Sequence, residues 1–264
     1  MAPESLPGTL HLLDRCLYLE RADALVLADV PPRPRIHSAV DAPIDDVDAP
    51  HERLERALEQ VKPSTVVVAG DLLHSFSTVP LSVARQLEQF TDTVAAADAT
   101  LILVEGNHDT VLSRVYDGAI ESHCHLAAAN AVIAHGHEHP DQTAELLIVG
   151  HGHPAMVVDG RKYPCFLYGP RQYEGHGRAV LPTFTRLARG VRINGARRSL
   201  DSPLVTDLGA CRFQPSSIRT RRSYSGFPAS GAVGGSPNRR SIEYRRRHRG
   251  GCRFHRRPKG SPRW

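Results

Sequence analysis

Five short apolar runs limit this chain more than any other feature, because each stops on a side chain able to bind a metal or move a proton. Ala24-Leu25-Val26-Leu27-Ala28 ends on Asp29. Thr65-Val66-Val67-Val68-Ala69 ends on Gly70-Asp71-Leu72-Leu73-His74. Leu101-Ile102-Leu103-Val104 runs through Glu105 into Gly106-Asn107-His108-Asp109. Ala131-Val132-Ile133-Ala134 ends on His135-Gly136-His137, and Leu146-Leu147-Ile148-Val149 ends on Gly150-His151-Gly152-His153. Aliphatic, often β-branched runs of this length fit strands buried on both faces. Ligands of open α/β sheets gather at the carboxyl ends of such strands. Asp, Asn and His supply the oxygen and nitrogen ligands that divalent metals take. Singly, each end also reads as a turn or a helix cap. Five in series read as a site.

The text between the runs has helical spacing. Asp48-Ala49-Pro50-His51-Glu52 has a cap, a first-turn Pro and an acid at the positive end. Leu54, Leu58 and Val61 follow as a stripe at helical spacing, closed by Lys62-Pro63. A second helix is predicted from Val79-Pro80 to Ala97, with Val83, Leu87, Phe90 and Val94 on one face. Strand–helix–strand units predict a parallel sheet. Residues 1–28 read as a β-hairpin leading to Asp29. Beyond His153 the texture changes to hairpins. Met156–Tyr163 contains an Asp159-Gly160 turn, and strands at Cys165–Tyr168 and Arg178–Leu181 follow. These predict the second sheet of a sandwich with helices outside.

The cysteines and the charge set the compartment and the domain boundary. Five scattered cysteines with no C-x-x-C pair argue for a reducing cytoplasm and against a disulfide framework or a zinc-thiolate site. Residues 1–20 lack the pattern of a signal peptide, and no apolar run is long enough to span a membrane. The net charge of +5 hides a break. Residues 211–264 hold fourteen Arg and one Lys against one acid, while residues 1–210 hold eighteen bases and twenty-seven acids. The expectation is a globular domain over 1–210 and an Arg/Ser/Gly/Pro-rich, disordered tail over 211–264. Three readings of the tail stand: a nucleic-acid-binding arm, a solvated tail, and text translated out of frame.

The order Asp29, Gly70-Asp71, Gly106-Asn107-His108-Asp109, His135 and Gly150-His151-Gly152-His153 resembles the calcineurin-like metallophosphoesterase superfamily. With Leu167-Tyr168-Gly169-Pro170, it is similar to the archaeal and bacterial phosphoesterase branch associated with DNA ligases and helicases. The resemblance covers roughly residues 10 to 210. It implies an α/β fold, a four-layer α-β-β-α sandwich. It also implies a hydrolase holding two divalent metal ions, manganese first, with iron or zinc as alternatives. Asp71 would bridge both ions. Asp29 and His153 would hold the first, and Asn107, His135 and His151 the second. A metal-activated hydroxide would attack a phosphate ester, a phosphodiester or nucleic acid by preference. His108 would protonate the leaving group, and Asp109 would orient His108. A DNA-repair helicase or ligase is the partner the branch implies, with no membrane involved. His123, His125, His137 and His139 are read as surface or core histidines, and His74 is left out of the ligand set.

One motif departs from the family. Its first motif is Asp-x-His, and here Asp29-Val30 is followed by Pro31-Pro32-Arg33-Pro34-Arg35-Ile36-His37. Pro31 has no ligand atom. Three readings stand: a rigid polyproline-like loop, a substitute ligand in His37, and a frameshift over residues 31–47. Codons for Pro31–Arg35 can be chosen that encode His-Leu-Gly-Arg when read one base later, which would restore the motif. The alternative functions are therefore a metal-compromised, weakly active member of the family and a nucleic-acid binder acting through its basic tail.

Overall fold

The computed structural model describes residues 10–30, 49–73, 79–185, 190–195, 200, 202–205 and 207–216. Pro31, His37 and His74 lie outside the described residues, as do residues 217–264.

Two sheets face each other. The first has the order β1-β2-β3-β4-β5-β6, formed by Leu10–Leu13, Cys16–Leu19, Ala24–Leu27, Thr65–Ala69, Thr100–Val104 and Ile120–Glu121. β1, β2 and β3 make the expected antiparallel start, and β3 to β6 are parallel. The second sheet holds β7 (His123–Leu126), β8 (Ala131–Ala134), β9 (Leu146–Val149), β10 (Pro154–Val158), β11 (Arg161–Tyr173), β12 (His176–Val180) and β13 (Val191–Arg192). A last strand, β14 (Arg212–Pro215), pairs antiparallel with β11.

The period of two sorts the apolar runs between layers. In β3 and β4, Leu25, Leu27, Val66 and Val68 face outward, and Val26 and Val67 face the second sheet. In β8 and β9, Ile133, Leu146 and Ile148 face the first sheet, and Val132, Leu147 and Val149 face away from it. Each buried Val, Ile or Leu stabilises the fold by about 1.5–3 kcal/mol. The two helices, α1 (Ala49–Val61) and α2 (Leu81–Ala96), end within a residue or two of the predicted bounds. Leu54, Leu58, Val83, Leu87, Phe90 and Val94 join the outward face of the first sheet.

Three features differ from the sequence reading. The five apolar runs are divided, three in the first sheet and two in the second, so the second sheet begins at His123. An apolar run looks alike in either sheet, because its pairing partner is distant in the chain. Among the described residues no α-helix covers the outer face of the second sheet. Ile193, Leu200, Leu204, Val205 and Cys211 cover it from irregular segments. The stretch that carries them is interrupted by Gly195 and Pro203, which break a helix even though Leu200, Leu204 and Leu208 stand four residues apart. Finally, β14 lies past residue 210, in text expected to hold no strand.

Candidate metal centre

All five run ends meet on one edge, at the carboxyl ends of β3, β4, β5, β8 and β9. Their residues fall into two groups, and the Asp71 charge acts on both.

The first group is Asp29 and His153. Asp29 is 1% exposed, and its Oδ1 lies 3.0 Å from His153 Nε2. The two are a close buried ion pair in which each is the other's main charge partner. Both Asp29 oxygens and His153 Nε2 are buried with no hydrogen-bond partner. Burial raises the Asp29 pKa, with His153 opposing. Burial also pulls His153 down, but Asp29 outweighs it and the net shift is upward. The Asp29 backbone is secured on both sides: its N–H donates to Gly70 O at 3.1 Å, and its carbonyl accepts from Thr183 Oγ1 at 3.3 Å.

A clasp supports that corner. Arg15 Nη1 donates to Thr183 O at 3.1 Å and Thr185 O at 2.5 Å. Arg53, in α1, donates to Phe184 O at 3.0 Å and to Asp14 Oδ2 at 2.5 Å. Phe184 N–H in turn donates to Ala28 O at 2.8 Å.

The second group is Asp71, Asn107, His135 and His151. His135 Nε2 lies 2.9 Å from Asn107 Oδ1, 3.1 Å from His151 Nδ1 and 3.5 Å from Asp71 Oδ1. His135 Nδ1 sits 3.3 Å from Ala69 O. Donation to that carbonyl would leave Nε2 with its lone pair facing the other three atoms. Lone pairs converging in this way repel unless a cation or a proton lies among them. Burial holds His135 down at about 4, against the Asp71 charge. Gly70 makes the approach possible, since a Cβ there would lie 2.1 Å from His135 Nδ1.

Four of these ligand candidates adopt left-handed backbone: Asp29 (φ 55°), Asp71 (φ 50°), His151 (φ 48°) and His153 (φ 41°). Each such non-Gly residue costs on the order of 1 kcal/mol, and such residues cluster at functional sites. Buried unpartnered oxygens, converging imidazole nitrogens and the absence of a thiolate fit divalent metal ions. Among the described residues, Asp71, His135 and His151 bring their ligand atoms within 4.8 Å of one another.

The family model for calcineurin-like phosphoesterases matches residues 24–153. These residues form a calcineurin-like phosphoesterase domain. A solved structure titled as the nuclease MPE of Pseudomonas putida superposes with a TM-score of 0.55 at 23% identity, covering 78% of this chain and 90% of that one. That likeness is one of fold. No curated protein matches in sequence.

Within the phosphoesterase domain, the six sequence-predicted ligands Asp29, Asp71, Asn107, His135, His151 and His153 come together. His108 is half-buried beside them, and its backbone N–H donates to Asp71 Oδ1 at 3.2 Å. Asp109 is placed differently from the expectation. Its oxygens accept from backbone N–H groups, at 2.6 Å from Leu73, 3.2 Å from Leu72 and 3.0 Å from Gly106, rather than from the His108 ring. At 1% exposure it locks two strand-end loops together and cannot touch a substrate. Burial raises its pKa against those three bonds. Sequence reasoning missed Arg15, Arg53 and Thr183, each of which bonds to a partner more than a hundred residues away. It also set aside His137, whose ring centre lies 5.2 Å from that of His135.

Proposed function

We propose that this protein is a dinuclear-metal phosphoesterase that hydrolyses phosphodiesters, with nucleic acid as the substrate class. The observation that carries the reading is the place of Asp71. One of its oxygens faces the His135 imidazole at 3.5 Å, and its charge also acts on Asp29 and on His153. A carboxylate shared by two groups of ligands suits a pair of ions close enough to grip one phosphate. Such ions would neutralise phosphate charge and make water acidic enough to ionise near neutral pH.

The chain's own residues then divide the work. Asp29 and His153 hold one side of the centre, and Asn107, His135 and His151 the other. Asp109 fixes the Gly106–Asp109 loop against Leu72 and Leu73, which sets where His108 stands. His108, at the partly open rim, supplies the proton to the departing alkoxide. A nucleic-acid substrate is supported by the nuclease title of the structural neighbour and by the excess of Arg beyond residue 211.

Hydrolysis of bis-p-nitrophenyl phosphate and of a DNA oligonucleotide, with added Mn²⁺, tests the reading. Activity is expected in the full chain and should fall by about 100-fold or more in Asp71→Asn, because losing even an outer-shell partner costs about 10–100-fold. Equal turnover by the two proteins would sink it.

A further inference from the structure

We infer that His137 is an additional imidazole ligand of the ion held by Asp71, Asn107, His135 and His151, bound through Nδ1; the inference rests on the proposed two-metal centre.

His137 Nδ1 is buried and has no hydrogen-bond partner. Among the described residues, the Asp29 oxygens and His153 Nε2 share that condition in the same centre. The three ring centres also stand at suitable separations, and the His137 ring must turn for its nitrogen to join the cluster already gathered by Asp71, His135 and His151. With metal–nitrogen bonds of about 2.1 Å, imidazoles on one ion carry their ring centres roughly 4.5–6.5 Å apart. His135 and His151 are 4.8 Å apart, His135 and His137 5.2 Å, and His137 and His151 6.3 Å.

The local backbone fixes this placement. Gly136 has φ +107°, and a Cβ there would lie 2.9 Å from the Val149 side chain, so only glycine fits between the two histidines. The Gly136 carbonyl is secured by Ser202 Oγ at 2.7 Å. The far nitrogen has a partner within reach. His137 Nε2 lies 3.7 Å from Glu138 Oε1, whose side chain is 75% exposed and free to turn. A closer carboxylate would hold the Nε2 proton and leave the Nδ1 lone pair for the ion, the arrangement common to metal-bound histidines. A core histidine would instead bury its nitrogens against donors or acceptors.

The test uses the full chain loaded with Co²⁺, read by its visible absorption band and by calorimetric affinity. His137→Ala should weaken the tighter-coordinated Co²⁺ by roughly 10-fold or more and shift its band, and free imidazole should restore the band. A purely structural role would give no rescue by imidazole. His137→Gln keeps much of the side-chain volume and should show the same loss if Ala perturbs folding. Glu138→Gln should weaken binding by only a few-fold. If Asp71→Asn lowers Co²⁺ binding while His137→Ala and His137→Gln leave affinity and band unchanged, this inference fails alone. If Asp71→Asn still binds two ions with unchanged affinity, the two-metal reading fails and this inference with it.

Discussion

The two halves of the candidate metal centre are built differently. On the Asp71, Asn107, His135 and His151 side the ligand atoms already crowd together at 2.9–3.5 Å around His135 Nε2, and the His135 ring is braced against the Ala69 carbonyl. On the Asp29 and His153 side two groups approach each other with their buried atoms unpartnered. The difference teaches where preorganisation comes from. The Asp29 half takes its shape from the backbone and from the distant arginine clasp, and the His135 half from contacts among the ligand candidates themselves.

Metal counting on single variants should break or sharpen this contrast most strongly. Asp71→Asn should lose both ions, whereas Asp29→Asn should lose only the ion at its own half and His135→Gln only the other, each by about 10–100-fold or more in affinity. Loss of both ions from Asp29→Asn, with Asp71→Asn no worse, would show that the halves are not separable.

Gly70→Ala comes next. It forces a side chain into the His135 ring at a left-handed position, whereas Gly160→Ala has the same kind of backbone (φ +75°) and open space around it. The expected cost is a few kcal/mol for Gly70→Ala and about 1 kcal/mol for Gly160→Ala. In a domain of this size that separates the melting temperatures by roughly 2–4 °C per kcal/mol. Equal melting temperatures would mean that His135 yields easily.

Those contrasts were only partly legible in the sequence. The six ligand candidates, which the structure brings to one edge, could be named because strand ends are local signals: an apolar run, then Asp, Asn or His. Both helices were legible for the same reason, since Leu54, Leu58 and Val61 repeat at helical spacing. What holds the ligands was not legible. Arg15 reaches Thr183 across 168 residues, and no local pattern marks such a pair. Asp109 looked like a partner for its neighbour His108, yet it bonds to Leu72 and Leu73, a meeting that only the β4–β5 pairing creates. The cover of the second sheet by Ile193, Leu200, Leu204 and Val205 was hidden because Gly195 and Pro203 break up the one apolar spacing that could have been read there.

A change at the clasp should be milder for metal than for folding. Arg53→Ala removes a buried hydrogen bond to Phe184 O and the pair with Asp14, a loss of about 2–3 kcal/mol. Affinity at the Asp29 half should drop a few-fold while the His135 half is unchanged. Calorimetric titration of the variant checks this, and an equal drop at both halves would contradict it.

The smallest effect expected is one of pH, with opposite signs in the two halves. In chelator, Asp29 and His153 both have raised folded pKa values, so their contribution is present at acid pH and is lost as pH rises through those values. His135 is lowered from 6.5 to about 4, so its contribution is present above 6.5 and is lost as pH falls toward 4. Urea midpoints measured across this range should show Asp29→Asn gaining on the parent as pH rises, and His135→Gln gaining as pH falls. Parallel curves for all three proteins would remove the contrast.

The clasp has a consequence for how the protein is born. Asp29 leaves the ribosome early, but Thr183, Phe184 and Thr185, which hold its corner through Arg15, Arg53 and Ala28, are made more than 150 residues later. A nascent chain halted before residue 183 therefore carries the first ligand without the means to aim it. Domains emerging during synthesis fold as units. This one cannot complete its candidate metal-binding corner until nearly all of its sheets have been translated, so the Asp29 corner is set only near the end of synthesis.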